Sequence, residues 1–263
     1  MNIGKKKRLQ RILGKDGRTV MVPMDHGVTE GPITGLVNME STITKAVLGG
    51  ADAIIVHKGV AKTYDTGKTG LIIHLTGSTK YSIDPNFKIQ FCNVEEALRL
   101  GADGVSVHVN VGSRRETTML KKMGQITEEC EKLGVPLLAM MYPRGKGVKD
   151  EHSPELIAHA SRLGAEIGAD IIKTNYTGDK ETFRVVVEGC PVPVIIAGGP
   201  KAKTTQEVLR VAYDSIKVGG AGVSIGRNVF QHNDPTSMVK ALSAIVHREA
   251  SVEDGLQILG VKR

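Results

Sequence analysis

Four times the chain ends a helical stretch on glycine, steps through Ala-Asp or Ala-Gly, and enters an apolar or β-branched run: GGADAI, LGADGV, IGADII and GGAGVS. A phrase that recurs in the order helix, glycine, strand is what repeated βα units leave in a sequence. Counting every short apolar run gives eight: TVMVPMDHG from residue 19, ADAIIVHKG from 51, LIIHLTG from 71, DGVSVHVNVG from 103, PLLAMMYPRG from 136, ADIIKTNYTG from 169, VPVIIAGGP from 192 and AGVSIGRN from 221. Near-continuous apolar strands have both faces covered, as in a parallel sheet. Helical patterns separate most of them. NVEEALRLGAD opens on Asn93 as an N-cap, and SPELIAHASRLGAEIG opens on Ser153 with Pro154 in its first turn. Eight strands alternating with helices in 263 residues predict an α/β fold, a single (β/α)8 TIM barrel over residues 1–263. That class takes about 250 residues. A doubly wound sheet would carry a glycine fingerprint after its first strand, and MDHGVTEG is not GxGxxG.

Hydrophobic residues make up 40% of the chain and aromatic ones 3%, so the core must be aliphatic. Residues 1–17 form an N-terminal extension, and MNIGKKKRLQRILGK predicts a basic helix packed outside the lower end of the barrel. It has no apolar stretch of the signal-peptide kind, and no run approaches the roughly 18 apolar residues of a membrane span. Cys92, Cys130 and Cys190 show no CxxC spacing, which points to a reducing compartment and a cytoplasmic location. The net charge of +7 suits an anionic small substrate or a nucleic acid. Scarce aromatic residues for stacking argue against the nucleic acid.

In a barrel the chemistry sits at the C-terminal ends of the strands. There the sequence collects Asp25 and His26, His57 and Lys58, His74, His108 with Asn110, Tyr142 and Arg144, Lys173, Gly198 and Gly199, then Gly226 and Arg227. Lys173 lies inside an apolar run, ADIIKTN, where its ammonium would lose water. Desolvation lowers a lysine's pKa and makes it a nucleophile toward carbonyls. Lys58 is the rival amine, but it sits at a strand's outer lip beside Gly59. Tyr142 and Asp25 are placed to move protons, and Arg144 offers a bidentate anion clamp. The glycine pairs after strands seven and eight offer backbone N–H groups where barrels bind phosphate, with Arg227 adding charge and Lys146 a further anion partner. The opposing reading takes three of His26, His57, His74 and His108 as ligands of a zinc ion.

PMDHG, MMYPRG, IIKTNYTGD, AGGPK and GRNVFQH together resemble the archaeal-type class I aldolases, from about Arg18 to Ala250. The resemblance implies a (β/α)8 enzyme working through a lysine Schiff base with no metal or other cofactor, as a homo-oligomer of five or ten subunits. It implies Lys173 as the Schiff-base lysine, Tyr142 as proton donor and Asp25 as proton acceptor. It further implies sugar-phosphate contacts at Asp25, His26, Gly27, Val28, Thr29, Tyr142, Pro143, Arg144, Lys173, Gly198, Gly199, Gly226 and Arg227, with an aldehyde as second substrate. The histidines then become polar wall. Fructose-bisphosphate aldolases of this family tend to carry a tryptophan two residues before the tyrosine. Met140 stands there instead, which favours a transaldolase branch of the family.

Overall fold

The computed structural model describes residues 2–261. Eight parallel strands close into a barrel in chain order: β1 Thr19–Pro23, β2 Ala53–Val56, β3 Gly70–His74, β4 Gly104–Val111, β5 Leu137–Pro143, β6 Ile171–Thr174, β7 Val194–Ala197 and β8 Gly222–Ser224, with β8 returning to β1. The longer helices are α1 Ile3–Ile12, α2 Met39–Leu48, α3 Val94–Arg99, α4 Glu116–Leu133, α5 Pro154–Glu166, α6 Lys180–Glu188, α7 Thr205–Lys217, α8 Pro235–Arg248 and α9 Val252–Ile258. The predicted (β/α)8 barrel is therefore what forms. Asn93 caps α3 by accepting from Glu96 N at 2.7 Å. Ser153 holds the N-cap position of α5, but its side chain makes no capping bond.

Alternation along the strands divides the apolar residues into two cores. Leu138, Met140 and Tyr142 of β5 point into the barrel with Met21, Ile55, Ile72, Ile171 and Ile195. Leu137, Ala139 and Met141 point outward to the helices with Ile172. The period of two along a strand makes this division automatic once the register is set.

The recurring Gly-Ala-Asp phrase sets the register. Asp52, Asp103 and Asp170 each stand just before or at the foot of a strand. Their carboxylates accept the backbone N–H of Val20 at 2.7 Å, Leu71 at 3.0 Å and Leu137 at 2.8 Å, respectively. Each aspartate N–H donates back to the carbonyl of the same partner. A reciprocal clamp of this kind satisfies a donor at the start of the neighbouring strand, which would otherwise be orphaned. The fourth copy has Gly222 instead, at φ 142°, where a Cβ would lie 2.0 Å from Thr19 O.

The same aspartates hold the lower end of the barrel. Asp170 lies 3.1 Å from Lys5 Nζ, Asp103 lies 2.7 Å from Arg11 Nε, and Asp52 lies 2.9 Å from His247 Nε2. Helix α1 thus does more than pack outside, as its charge pattern suggested. Ile12 enters the inner core and closes the barrel floor. Two basic residues of α1, Lys5 and Arg11, thus pair with carboxylates of the barrel itself.

His247 donates to Asp52 Oδ2 and Asp16 Oδ2, both at 2.9 Å, so it is held as the imidazolium. The Asp52 hydrogen bond is the largest influence on it; burial opposes, Asp16 assists, and its pKa ends above the usual value. A raised folded-state pKa contributes stability that is complete below the unfolded value of about 6.5 and is lost as pH rises through the folded value. His247→Gln should unfold at lower urea below about pH 6.5, by about 2 kcal/mol, and the gap to the parent should shrink as pH rises above that value. Parallel urea titrations on either side of that pH check it; a pH-independent gap would refute the ion-pair account.

Candidate active site

Strand β6 is only Ile171–Thr174, and its parity decides the orientation of one amine. Ile171 points inward and Ile172 outward, so Lys173 points inward, in register with Met140 of β5 and Ile195 of β7. It is 6% exposed. Burial brings its pKa down to about 8, against the pull of Asp25 toward the charged form. That is the environment a carbonyl-attacking lysine needs.

Asp25 follows β1 and faces the same space. Burial alone would raise its pKa, but His74, His26, Lys173 and His57 outweigh burial and hold it well below the carboxylate range. His26 Nδ1 and His74 Nε2 stand 3.7 Å and 3.9 Å from its oxygens. Burial pushes His74 down to about 3, so the ring is neutral near pH 7. It shares a 2.8 Å hydrogen bond with Ser106 Oγ through Nδ1.

Tyr142 is inward on β5 and 7% exposed. Burial raises its phenol pKa, with partial relief from Arg144, so it is a proton donor at neutral pH. His108 meets the ring edge-on at 5.0 Å, and the Arg144 guanidinium lies 5.4 Å from its centroid. Arg144 is not a free clamp. Glu151 occupies its fork through contacts of 2.9–3.0 Å.

At the opposite lip Asn228 fixes the loop after β7, donating to Gly198 O at 2.9 Å and Pro200 O at 3.0 Å. Gly226 follows β8, where a Cβ would lie 2.7 Å from both Pro23 O and His26 Cε1. Arg227 donates to Gly199 O at 3.2 Å and lies 3.8 Å from Glu30. Three buried polar atoms here, His26 Nδ1, Ser224 Oγ and Arg227 Nε, find no partner among the described residues.

These groups surround one cavity of about 220 Å³ at the top of the barrel. Asp25, His26, Thr29, Tyr142, Arg144, Lys173, Gly198, Gly199, Gly226 and Arg227 all line it, as the sequence reading brought together. Gly27, Val28 and Pro143 do not; the first two lie on the turn Gly27–Glu30 and Pro143 is buried at the end of β5. Lys58 pairs with Glu96 at 3.1 Å away from the cavity. Lys146 is also elsewhere, exposed on a separate cavity of about 730 Å³. His57 sits behind His74, donating from Nδ1 to its carbonyl at 3.1 Å. Among the described residues no three His, Cys, Asp or Glu side chains are grouped to hold a metal ion. Residues the sequence reading missed are Glu30, Lys88, Asn175 and Ser224, all of which line the cavity. Lys88 and Glu30 lie outside the strand ends where the search was made, and nothing in their local pattern marks them.

Residues 19–232 match the DeoC/LacD family of aldolases. The chain belongs to that family. A 2-amino-3,7-dideoxy-D-threo-hept-6-ulosonate synthase of Halobacterium salinarum is 45% identical over 260 residues, covering 98% of this chain and 97% of the relative. A 2-amino-4,5-dihydroxy-6-oxo-7-(phosphonooxy)heptanoate synthase of Streptomyces griseus is 40% identical over 93% of this chain and 90% of its own. Among solved structures, an archaeal fructose-1,6-bisphosphate aldolase with its catalytic lysine bound to the carbinolamine intermediate superposes with a TM-score of 0.86. It is 33% identical, over 92% of this chain and 99% of its own. The enzyme is thus a class I, lysine Schiff-base aldolase by family.

A lysine attacks a carbonyl as its neutral amine, so covalent capture of a carbonyl compound on Lys173 should speed up as pH rises through about 8. Asp25 favours the ammonium, so Asp25→Asn should move that midpoint to lower pH. The rate of cyanoborohydride trapping of hydroxyacetone, followed by mass spectrometry between pH 6 and 10, reads both. A midpoint that stays put, or moves up, in Asp25→Asn would contradict the electrostatic assignment.

Proposed function

We propose that this enzyme is a transaldolase making 2-amino-3,7-dideoxy-D-threo-hept-6-ulosonate from L-aspartate semialdehyde and 1-deoxy-D-threo-hexo-2,5-diulose 6-phosphate. The observation that carries the reading is Lys173, a buried amine with its pKa near 8, facing a cavity that also holds Asp25 and Tyr142. The synthase relative at 45% identity supports the choice of substrates.

The amine of Lys173 adds to the C2 ketone of the donor, and loss of water gives the iminium. Asp25, ionised, takes the proton of the C4 hydroxyl as the C3–C4 bond breaks. The electron pair of that bond enters the iminium to give a three-carbon enamine, and hydroxypyruvaldehyde phosphate departs. Carbon 3 of the enamine then attacks the aldehyde carbon of L-aspartate semialdehyde. The Tyr142 phenol protonates the new alkoxide, and the proton held by Asp25 restores the phenol. Water hydrolyses the iminium and frees the product and the amine. The donor contacts Asp25 to Thr29, Tyr142 to Arg144, Gly198 with Gly199, and Gly226 with Arg227. Aromatic amino-acid biosynthesis is the route such a product would serve. The same reading puts the enzyme in the cytoplasm as a homo-oligomer.

The glycine nest and Arg227 favour a second reading, cleavage of fructose 1,6-bisphosphate, whose ketone-side carbon carries a phosphate of its own. The two differ in what the enamine becomes.

Lys173→Met should remove borohydride trapping and lower turnover by at least about a thousandfold, because no other amine in the cavity is positioned on the β6 strand. Tyr142→Phe should retain the adduct and lower transfer by about 10²–10⁴-fold, the usual contribution of a general acid. Mass analysis of products from the 1-deoxy donor with aspartate semialdehyde, against fructose 1,6-bisphosphate alone, decides the substrate. Release of hydroxyacetone without any seven-carbon amino acid would overturn the transferase reading and leave the Schiff-base aldolase.

A further inference from the structure

Lys88 reaches the cavity by a route that no barrel strand provides. Between β3 and β4 the chain folds into a small antiparallel hairpin, Thr76–Gly77 against Ile89–Gln90, and Lys88 stands directly before its second strand. Asn110 Nδ2 of β4 anchors the hairpin by donating to Asn86 O at 2.8 Å. The Lys88 ammonium donates to Ser78 Oγ at 2.6 Å and to Pro85 O at 2.8 Å, both neutral acceptors. The two arginines of the cavity are matched, Arg144 by Glu151 and Arg227 by Glu30. No carboxylate among the described residues pairs with Lys88; Asp25 and Asp84 act on it only from a distance. A half-buried ammonium that lines a ligand cavity without a counter-ion is a site for an anion.

The proposed reaction says which anion. The bond that breaks and the bond that forms are made to the same enamine carbon, so the departing and the entering aldehydes occupy one side of the site in turn. Tyr142 serves the aldehyde oxygen on that side. Arg144 and His108, the two residues packed on the Tyr142 ring, are also the electrostatic neighbours of Lys88. The departing aldehyde carries a phosphate and the entering one a carboxylate, each a few bonds beyond the aldehyde carbon. We propose that Lys88 is the specificity-determining anchor of this side, holding first the phosphate of the departing aldehyde and then the carboxylate of the amino-acid aldehyde. A compact ammonium on a flexible stem, with one donor left beyond those given to Ser78 and Pro85, can meet a tetrahedral or a planar anion as a point charge. The fixed fork of an arginine suits one geometry. Burial, followed by Arg144, pushes Lys88 down to about 8, and an arriving anion favours its charged form again.

The inference rests on the transaldolase reading, and the test separates the two. Hydroxyacetone serves as ketone donor, and the acceptors are L-aspartate semialdehyde and butanal, an uncharged four-carbon aldehyde. Lys88→Met should lower kcat/KM for aspartate semialdehyde relative to butanal by about 10- to 100-fold, as loss of a charge-assisted hydrogen bond does. Borohydride trapping of hydroxyacetone on Lys173 should be unchanged, and Lys88→Arg should restore part of the preference. A parallel fall for both aldehydes would make Lys88 a structural support of the hairpin and overturn the proposal. Unaltered rates for both would overturn it as well. Failure of the parent enzyme to trap hydroxyacetone at Lys173 would instead overturn the Schiff-base reading, and this inference with it.

Discussion

The side of the barrel on which Lys173 emerges depends on the register of a four-residue strand. A slip by one residue would turn Ile172 inward and drive the ammonium of Lys173 out among α5 and α6, where its desolvation would have no compensation. Asp170 prevents that slip. It precedes β6 directly and clamps to Leu137 through both its carboxylate and its backbone N–H, fixing β6 against β5 at the floor of the barrel. Three residues later the chain delivers Lys173 to the roof. The stability device at the bottom and the buried amine at the top are two ends of one registered strand.

At the roof two opposed influences act on that amine. Burial disfavours the ammonium, Asp25 favours it, and the outcome near 8 shows burial winning by roughly 3 kcal/mol. Asp25 stays ionised because, as pH falls, the surrounding histidines take up protons before it does, and their charge with that of Lys173 holds it well below the carboxylate range. Tyr142 stays protonated because it is buried. Near pH 8 an amine that is about half neutral, an ionised carboxylate and a protonated phenol therefore coexist, each form set by its own surroundings. Neutral His74 and His108 complete the wall without adding charge that would lower the lysine further.

Features with a period were legible in the sequence, and features carried by a single contact were not. The barrel could be read because eight apolar runs and four Gly-Ala phrases repeat, and Lys173 because it breaks one of those runs. The Asp25, Tyr142, glycine and Arg227 positions followed from their place at strand ends. Lys88 was invisible because it enters from a hairpin whose pairing, Thr76 with Gln90 and Gly77 with Ile89, involves strands of two residues, too short to show any alternation. Arg144 was visible as an arginine but not as one already engaged, since Glu151 lies seven residues along an irregular loop. Lys146 was misplaced for the same reason: the turn after β5 carries it away from the cavity. The pairing of the repeat's aspartates, Asp103 and Asp170 with α1 and Asp52 with His247 of α8, depends on contacts between distant parts of the chain that no local pattern shows.

The repeat departs from aspartate at the one seam where the barrel closes on itself. Between β8 and β1 the backbones come too near for a side chain at either end: a Cβ on Gly222 would meet Thr19 O at the floor, and one on Gly226 would meet Pro23 O at the roof. The close approach at the floor leaves Thr19 free to donate its hydroxyl to Ile12 O, tying the plug helix to the first strand. At the roof the same approach brings Gly226 against His26, and with it Arg227 and the loop of Gly198 and Gly199 up to the residues after β1. The first and last strands thus contribute Asp25 and the glycine nest to a single cavity with Lys173 from β6. Enlarging either glycine would push the seam apart, and the nest would separate from the carboxylate before the core itself lost its packing.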